Sequence, residues 1–244
     1  MMFSLFVFSQ EGNRTDGKGK QGEWKKYHKN GMLHKVGSFK NDKPIGEFKY
    51  YYDTGKIQAK MTHVGNQSYS IMYYKTGEPK AAGKYINQKK DSTWTYYDEN
   101  GYKKATEYYT KGVKDKIWYI YYTDGQIAEE IEYVNDFEQG IWNKYWQNGK
   151  KKMAATYDKG GLEGNAVYYN SVGKRSVSGY YYHGLRNGIW IHFEEDGTTI
   201  KKKEEFKNGR KVYENEADKY IDPETDKPIN EDFLELDENG MPRQ

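Results

Sequence analysis

The sequence has no cysteine among its 244 residues, which excludes disulfide bridges, thiolate metal sites and a cysteine nucleophile. Proline is scarce, with five residues. The one strongly apolar run is residues 1–9, MMFSLFVFS, which is far shorter than the roughly 20 residues of a membrane-spanning helix. The repetitive body nowhere sustains the 3.6-residue apolar period of an amphipathic helix. These absences favour an all-β protein without a transmembrane segment.

Motifs that carry chemistry are also missing. Neither H-E-x-x-H nor G-x-S-x-G occurs, and the histidines form no tight ligand pair with a carboxylate. Gly17, Gly19 and Gly22 match G-x-G-x-x-G, but the strand-like sequence GEWKKY follows where a dinucleotide site needs a helix. We therefore expect a protein that is not an enzyme and that has no cofactor and no metal site.

Aspartates recur near the predicted turns and are the strongest apparent candidates for acid–base or metal chemistry. They are Asp53, Asp98, Asp124 and Asp196. Consecutive members would lie about 10 Å apart along a sheet, which is too far for one compact site, whereas retaining glycosidases need roughly 5 Å between carboxyl groups. We interpret them as turn-forming residues.

The composition is unusual for a globular core, because 35% of the residues are hydrophobic and 31% are charged. Such values alone favour disorder, but the 17% aromatic content and the 26 tyrosines oppose it. Eleven acidic and three basic residues from Glu214 onward give that segment a charge of −8, so residues 1–213 carry +11. A basic body with an acidic tail is compatible with polyanion binding or with contact between tail and body. Nucleic acid is the less favoured partner if the protein is exported.

The two ends differ from the body. Residues 1–9 resemble the end of a secretory signal peptide, with Val7 and Ser9 as the small residues before a cleavage site. The alternative is an apolar first strand. Export to the periplasm or cell surface is expected if the signal interpretation holds, and a cytoplasmic location otherwise.

The remaining boundaries follow from composition and period. Residues 10–21 lack an apolar period and are predicted to be a flexible lead-in. Residues 22–213 form the predicted repeat domain, and residues 214–244 form an acidic, partly disordered tail.

One pattern occurs eight times in the body, and each copy contains a turn glycine. The glycines are Gly31, Gly55, Gly77, Gly101, Gly125, Gly149, Gly173 and Gly197. They are 24 residues apart, except for a spacing of 22 between Gly55 and Gly77. A fixed period of this length indicates a repeat architecture. We number positions within each repeat relative to its glycine.

Aromatic residues recur at fixed positions. Position −7 is aromatic in six repeats, while the third and seventh repeats have Ser70 and Ala166 there. Position +8 is aromatic in most repeats, but in the eighth the aromatic residue, Phe206, falls at +9, which predicts a bulge or frayed end in that return strand. Position −4 is a tyrosine in seven repeats: Tyr27, Tyr51, Tyr73, Tyr97, Tyr121, Tyr145 and Tyr169. We call these seven residues the tyrosine row.

Asn-Gly and Asp-Gly pairs such as Asn30-Gly31 and Asp124-Gly125 favour tight two-residue hairpin turns. With such turns, positions −7, −5 and −3 would share an apolar face with +2, +4, +6 and +8. In the fifth repeat that face would hold Trp118, Ile120, Tyr122, Ile127, Ile131 and Tyr133. The predicted fold is an elongated, twisted antiparallel sheet of about eight tandem β-hairpins.

The unit G-x-W-x-x-Y-x-x-x-G, seen in GEWKKYHKNG and GIWNKYWQNG, resembles the bacterial variant of the MORN repeat. The chain is similar over residues 22–213 to MORN-variant proteins grouped as YwqK-like antitoxins. The resemblance implies a non-catalytic scaffold that binds a partner protein, and it brings no set of catalytic residues. The units also resemble, less closely, the aromatic repeats of cell-wall-binding proteins.

Two functions are therefore expected as alternatives. The first is a scaffold that binds an unidentified protein. The second is an exported glycan- or envelope-binding module that uses the aromatic rows. The tyrosine row is the candidate binding surface in both, because repeated rings can stack on sugars or anchor a partner chain. The structural alternative is that these rings cover the second face of a thin sheet.

Overall fold

The computed structural model describes residues 13–216, which divide after Gly112 into two compact units. The predictions for residues 1–9 and for residues 217–244 of the tail lie outside the described residues. Every regular element between residues 13 and 216 is a β-strand, and no helix in that range could cross a membrane. The all-β fold of tandem hairpins is confirmed.

The first unit contains four of the eight hairpins, and its strands pair antiparallel in chain order. They are β1 (Arg14–Asp16), β2 (Gly19–Tyr27), β3 (Leu33–Lys40), β4 (Lys43–Tyr51), β5 (Ile57–Val64), β6 (Gln67–Tyr73), β7 (Pro79–Ile86), β8 (Lys89–Tyr97) and β9 (Lys103–Thr110).

The second unit contains the other four hairpins and follows the same plan. Its strands are β10 (Val113–Lys114), β11 (Lys116–Tyr121), β12 (Ile127–Val134), β13 (Phe137–Tyr145), β14 (Lys151–Asp158), β15 (Gly161–Leu162), β16 (Gly164–Tyr169), β17 (Arg175–Tyr182), β18 (Leu185–Phe193), β19 (Ile200–Lys207) and β20 (Arg210–Glu216).

Regular structure begins before the predicted domain boundary. Strand β1 pairs with β2 from Arg14↔Gln21 to Asp16↔Gly19, within the segment expected to be a flexible lead-in. The indole N–H of Trp24 donates to the carbonyl of Arg14 at 3.1 Å. Strand β20 likewise extends past residue 214 to Glu216. Apolar period is a poor guide here, because an edge strand can be held by backbone pairing and one ring.

The loops inside the hairpins are three-residue loops, and the prediction of two-residue turns is wrong. In the fifth repeat Tyr122 N–H donates to the Gln126 carbonyl at 2.8 Å, and Gly125 N–H donates to the Tyr122 carbonyl at 3.0 Å. Gly125 has φ of 86°, and all eight turn glycines are left-handed. A three-residue loop that ends in a left-handed glycine is a common hairpin connection.

The longer loop changes the predicted register. Ile127 pairs with Tyr121, and the ladder shifts before Ile120 pairs with Glu129. Positions +4, +6 and +8 therefore share the core face with −9, −7 and −5, as Trp118↔Ile131 shows, whereas +2 lies opposite −4. Ile120, predicted to be buried, is 40% exposed.

Two-residue turns do occur, but they connect one hairpin to the next. Asn41 and Asp42 have φ of 53° and 63°, and Asn135 and Asp136 have φ of 52° and 73°. Pairs of left-handed residues form the tight turns whose twist matches antiparallel strands. The N–H of Asp136 donates to the Lys114 carbonyl at 3.0 Å, so this turn is also bonded to the earlier strand β10.

A bulge at position −9 accompanies most strands that enter a hairpin loop. Between β7 and β8 the register passes from Lys84↔Asp91 to Ala82↔Thr95, so β8 carries two extra residues. The residue at −9 in β8, Ser92, has φ of 60°. A bulge re-aims the side chains that follow it. Here the aromatic residue at −7, Trp94, folds back over the preceding strand.

The core of the first unit lies on the face that contains positions −7 and +8. In the second unit Trp190 is buried on that face, and Val167, Ser178 and Ile191 are buried on the opposite one. Trp94 and Trp190 are 1% and 0% exposed, and each lies over a glycine at position +6, Gly83 or Gly179. The small residues Ser70 and Ala166 pair directly with these two glycines. The third and seventh repeats thus have no aromatic residue at −7, and in each case the repeat that follows has a tryptophan that is almost completely buried.

The eighth repeat absorbs its extra residue in the loop. Glu194 N–H bonds to the Thr199 carbonyl at 2.9 Å, one residue later than in the other repeats. Asp196 accepts N–H bonds from Thr198 and Thr199 at 2.8 and 2.9 Å. Strand β19 then pairs regularly with β18 from Phe206↔Gly188 to Lys202↔His192, so its end does not fray. The predicted irregularity does occur in the ladder with β20, whose register shifts between Glu205 and Phe206.

Candidate functional site

The tyrosine row lies at the strand end next to each three-residue loop. The first unit carries Tyr27, Tyr51, Tyr73 and Tyr97, and the second carries Tyr121, Tyr145 and Tyr169. Tyr27 is 56% exposed, whereas the other six rings are partly buried. The row is a series of equivalent positions on successive hairpins within each unit and forms no convergent cluster.

The backbone of the row is held in place by hydrogen bonds from side chains at position −3, a relationship that the spacing of the tyrosines does not reveal. A side chain at −3 donates to the carbonyl of the row tyrosine in the following repeat. The pairs are His28 Nε2 to Tyr51 O (2.9 Å), Tyr52 OH to Tyr73 O (2.7 Å), Tyr74 OH to Tyr97 O (2.8 Å), Tyr122 OH to Tyr145 O (2.6 Å) and Trp146 Nε1 to Tyr169 O (3.1 Å). The sequence signal was a ring with an N–H or O–H donor after the row residue.

Two row tyrosines have phenols that ionise less readily than usual. Burial, and then the hydrogen bond to Glu130, raise the pKa of Tyr145 to about 12. The Tyr145 hydroxyl donates to Glu130 Oε2 at 2.8 Å. Burial raises the pKa of Tyr169 as well. These phenols stay protonated at neutral pH and can serve as hydrogen-bond donors but not as general bases.

Several of the body's cations lie over rings of the core face. At position −11, Lys20, Lys90, Lys114 and Arg186 lie 5.1, 4.8, 4.7 and 4.2 Å from the centroid of the tryptophan at −7 of their own repeat. Such cation–π contacts stabilise by about 0.5–1 kcal/mol at exposed sites. These four cations therefore contribute to the packing of the core face.

Lys90 is the most enclosed of these cations. Its Nζ also lies over the rings of Tyr96 and Tyr109 at 5.1 and 4.8 Å, and it bonds to the Tyr96 hydroxyl. Burial lowers its pKa, against the opposing effect of Glu107, whose carboxylate lies 3.9 Å away. The cluster is internally paired.

The recurrent aspartates behave as turn formers. Asp98 Oδ1 accepts N–H bonds from Asn100 and Tyr102 at 2.9 and 3.0 Å, and Asp124 Oδ1 accepts one from Gln126 at 3.0 Å. The last of these bonds lowers the pKa of Asp124. Between residues 13 and 216 there is no group of three or more His, Asp or Glu residues able to hold a metal ion.

An ion network lies on the last strands of the second unit. Glu204, 7% exposed, is 2.8 Å from His192 Nε2 and 2.9 Å from Lys202 Nζ. Lys211 links it to Glu214, which lies 2.5 Å from Lys211. Burial opposes ionisation of Glu204, but the bonds from Lys202 and His192 outweigh it and lower its pKa to about 2. With every member paired, the network has a structural role.

Comparison with known families supports the repeat assignment. Residues 20–41, 44–64 and 114–135 match the family model of the MORN repeat variant, and they cover the first, second and fifth hairpins. No curated protein matches the chain. The MORN family is generally a non-catalytic repeat module, so the three matches support a repeat-based binding scaffold.

Proposed function

We propose that this chain is a non-catalytic scaffold that binds a partner protein through the tyrosine row. The observation that supports the proposal is the position −3 hydrogen bonding, which fixes row residues from hairpin to hairpin. Tyr74 and Tyr122, for example, bond to the backbone carbonyls of Tyr97 and Tyr145 at 2.8 and 2.6 Å. A strand end whose backbone is already ordered loses little conformational entropy when its tyrosine contacts a partner.

Tyrosine suits such a contact because it supplies both apolar area and a hydroxyl group, and it is enriched among residues that dominate protein interfaces. The six row tyrosines other than Tyr27 are only partly buried, so part of their surface is accessible. The resemblance to YwqK-like antitoxin proteins favours a toxin as the partner. Export of the protein rests on residues 1–9 and stays a prediction.

The experiment is affinity capture on the full chain followed by reconstitution of a complex with the purified captured protein. A complex of fixed stoichiometry by size-exclusion chromatography supports the proposal. The triple variant Tyr97→Ser, Tyr121→Ser, Tyr145→Ser should weaken that complex at least tenfold. The control triple, Tyr69→Ser, Tyr102→Ser, Tyr182→Ser, removes tyrosines that are 53%, 52% and 47% exposed outside the row.

Three outcomes separate the alternatives. Equal binding by the row variant and the wild type contradicts the tyrosine row as the contact surface. Binding to a glycan or peptidoglycan array without any protein complex favours the envelope-binding alternative. Growth inhibition by the captured protein, relieved by co-expression of this chain, would establish the antitoxin role.

A further inference from the structure

The third repeat departs from the others in two connected ways. Its 22-residue spacing reflects the loss of the bulge at position −9, because β5 and β6 pair without interruption from Ala59↔Met72 to Val64↔Gln67. Position −7 in this repeat is Ser70. The third repeat therefore lacks both the bulge that directs the −7 side chain over the preceding strand and the aromatic ring at −7 itself.

Two cavities lie at or near this place, both within the first unit. One, of about 440 Å³, is lined by Pro44, Met61, His63 and Tyr85 with amide side chains at its rim. The other, of about 360 Å³, includes Met61, Met72 and Ser70 in its lining. Met61 lines both cavities, so the two adjoin. We call the two cavities together the trough. Cavities of this size accept small ligands or large side chains.

The Ser70 side chain is 1% exposed, and its hydroxyl has no hydrogen-bond partner among the described residues. A buried hydroxyl without a partner costs about 1–3 kcal/mol, so native proteins leave few of them. Because Ser70 lines the smaller cavity, a ligand that enters the trough can supply the missing hydrogen bond.

The seventh repeat shows that a small residue at −7 does not by itself leave a cavity. Ala166 is 0% exposed, and Met153, Leu162 and Tyr181 pack in the core cluster around it. The residue in the place of Leu162 in the third repeat is Ser68, because Leu162 pairs with Tyr157 and Ser68 pairs with the equivalent His63. Ser68 is smaller than leucine and lines the larger cavity. The third repeat therefore lacks the leucine that fills this place in the seventh.

The charges around the trough limit what it can bind. Lys43 lines the larger cavity and Lys80 the smaller one, and no carboxylate lines either. The two methionines provide polarizable apolar surface that adapts to rings. We propose that the trough binds a planar aromatic side chain with a hydrogen-bond donor, such as tryptophan, carried on an acidic peptide segment. The identification of that segment as part of a partner rests on the proposed function.

Methyl NMR of the methionine-labelled full chain tests the proposal without a partner in hand. Met61 and Met72 report on the trough, Met153, which is 4% exposed, reports on the core of the second unit, and Met32, which is 43% exposed, reports on non-specific contact. The probes are the blocked peptides Glu-Trp-Glu and Lys-Trp-Lys, free indole, blocked Glu-Phe-Glu and tri-N-acetylchitotriose.

Glu-Trp-Glu should shift the Met61 and Met72 signals saturably, with a dissociation constant on the order of 1 mM for a single anchor residue. Met153 and Met32 should not shift. Lys-Trp-Lys and Glu-Phe-Glu should bind several-fold more weakly, the first because of Lys43 and Lys80 and the second because it lacks the donor. Free indole should also bind more weakly, which would distinguish a peptide-borne ring from a free one.

Two variants complete the test. Ser70→Trp fills the trough with the residue type found at −7 elsewhere and should abolish the shifts, whereas Lys80→Glu, at an exposed position, should weaken Glu-Trp-Glu and favour Lys-Trp-Lys. Shifts of Met32 as large as those of Met61, equal binding of all three peptides, or a response to the saccharide alone would overturn the proposal. If Ser70→Trp leaves the affinity for the partner protein unchanged, the trough is not part of the surface that binds that partner.

Discussion

The indole of Trp94 occupies the space that a side chain at residue 83 would need. A Cβ built on Gly83 would lie 2.2 Å from Cδ2 of that ring. The indole N–H also donates to the Lys84 carbonyl at 3.0 Å, so the ring is fixed at both its face and its edge. Trp190 and Gly179 repeat this relationship in the second unit, again with 2.2 Å between the built Cβ and the ring.

Gly83→Ala should therefore destabilise the protein by about 1–3 kcal/mol, since overpacking a close contact forces the ring or the strand to move. Urea unfolding followed by tryptophan fluorescence measures the effect. The matched control is Gly17→Ala, because Gly17 lies in the same unit with no atom within 4 Å of its built Cβ. Equal stability of the two variants would show that the packing of the Trp94 ring does not require a residue without a Cβ at position 83.

Tyr74→Phe should destabilise the first unit by about 1 kcal/mol, because it removes one hydroxyl bond to the Tyr97 carbonyl, of 2.8 Å, and keeps the ring. Tyr102→Phe, at a residue that is 52% exposed, is the control and should change stability by less than about 0.5 kcal/mol. Thermal unfolding of both variants gives the comparison. A loss as large in Tyr102→Phe would contradict a specific role for position −3.

Lys159→Gly should stabilise the second unit by roughly 0.5–1 kcal/mol. Lys159 has φ of 48°, a left-handed conformation that costs an L-residue with a Cβ about 1–2 kcal/mol, and glycine relieves most of that cost. Lys151→Gly, at the first residue of β14, which pairs with Tyr145, is the opposite control and should destabilise, because glycine has a low strand propensity. Denaturant midpoints of the two variants should move in opposite directions.

Stability should fall in acid through Glu204. Its pKa is about 2 in the folded protein, below the ordinary value of 4.5, so the unfolded chain binds more protons between these values. The contribution is complete above about pH 4.5 and is lost as the pH falls towards 2. Thermal unfolding at pH 7, 4.5 and 3 should show a difference in Tm between the wild type and Glu204→Gln that becomes smaller as the pH falls. Glu205→Gln, on the exposed side of β19, should follow the wild type at every pH.

The repeat positions could be predicted from the sequence because turn chemistry is local. A glycine that must adopt a positive φ is visible in the sequence, and all eight were located correctly. The loop length was not, since Asn-Gly and Asp-Gly occur in both two-residue and three-residue loops. The pairing of Tyr121 with Ile127 depends on whether the loop has two or three residues. The loop length in turn depends on how the two strands pair along the whole hairpin.

The candidate site was predicted only in part. The tyrosine row was evident from spacing, but whether a ring such as Tyr145 is exposed depends on Glu130 in the preceding repeat, a contact 15 residues away. The trough could not be predicted, because the 22-residue spacing and Ser70 appear in the sequence as separate irregularities. Their common cause, the missing bulge between β5 and β6, is a property of the backbone.

The missing bulge also indicates which insertions and deletions such a chain can survive. The spacing of the third repeat is shorter by two residues, and an even number leaves every later side chain of β6 on its original side of the sheet. The single extra residue of the eighth repeat lies in the loop after Asp196, where parity does not matter. Strands in such repeats should therefore tolerate changes in length by pairs of residues more readily than changes by one, whereas the loops can change by any number.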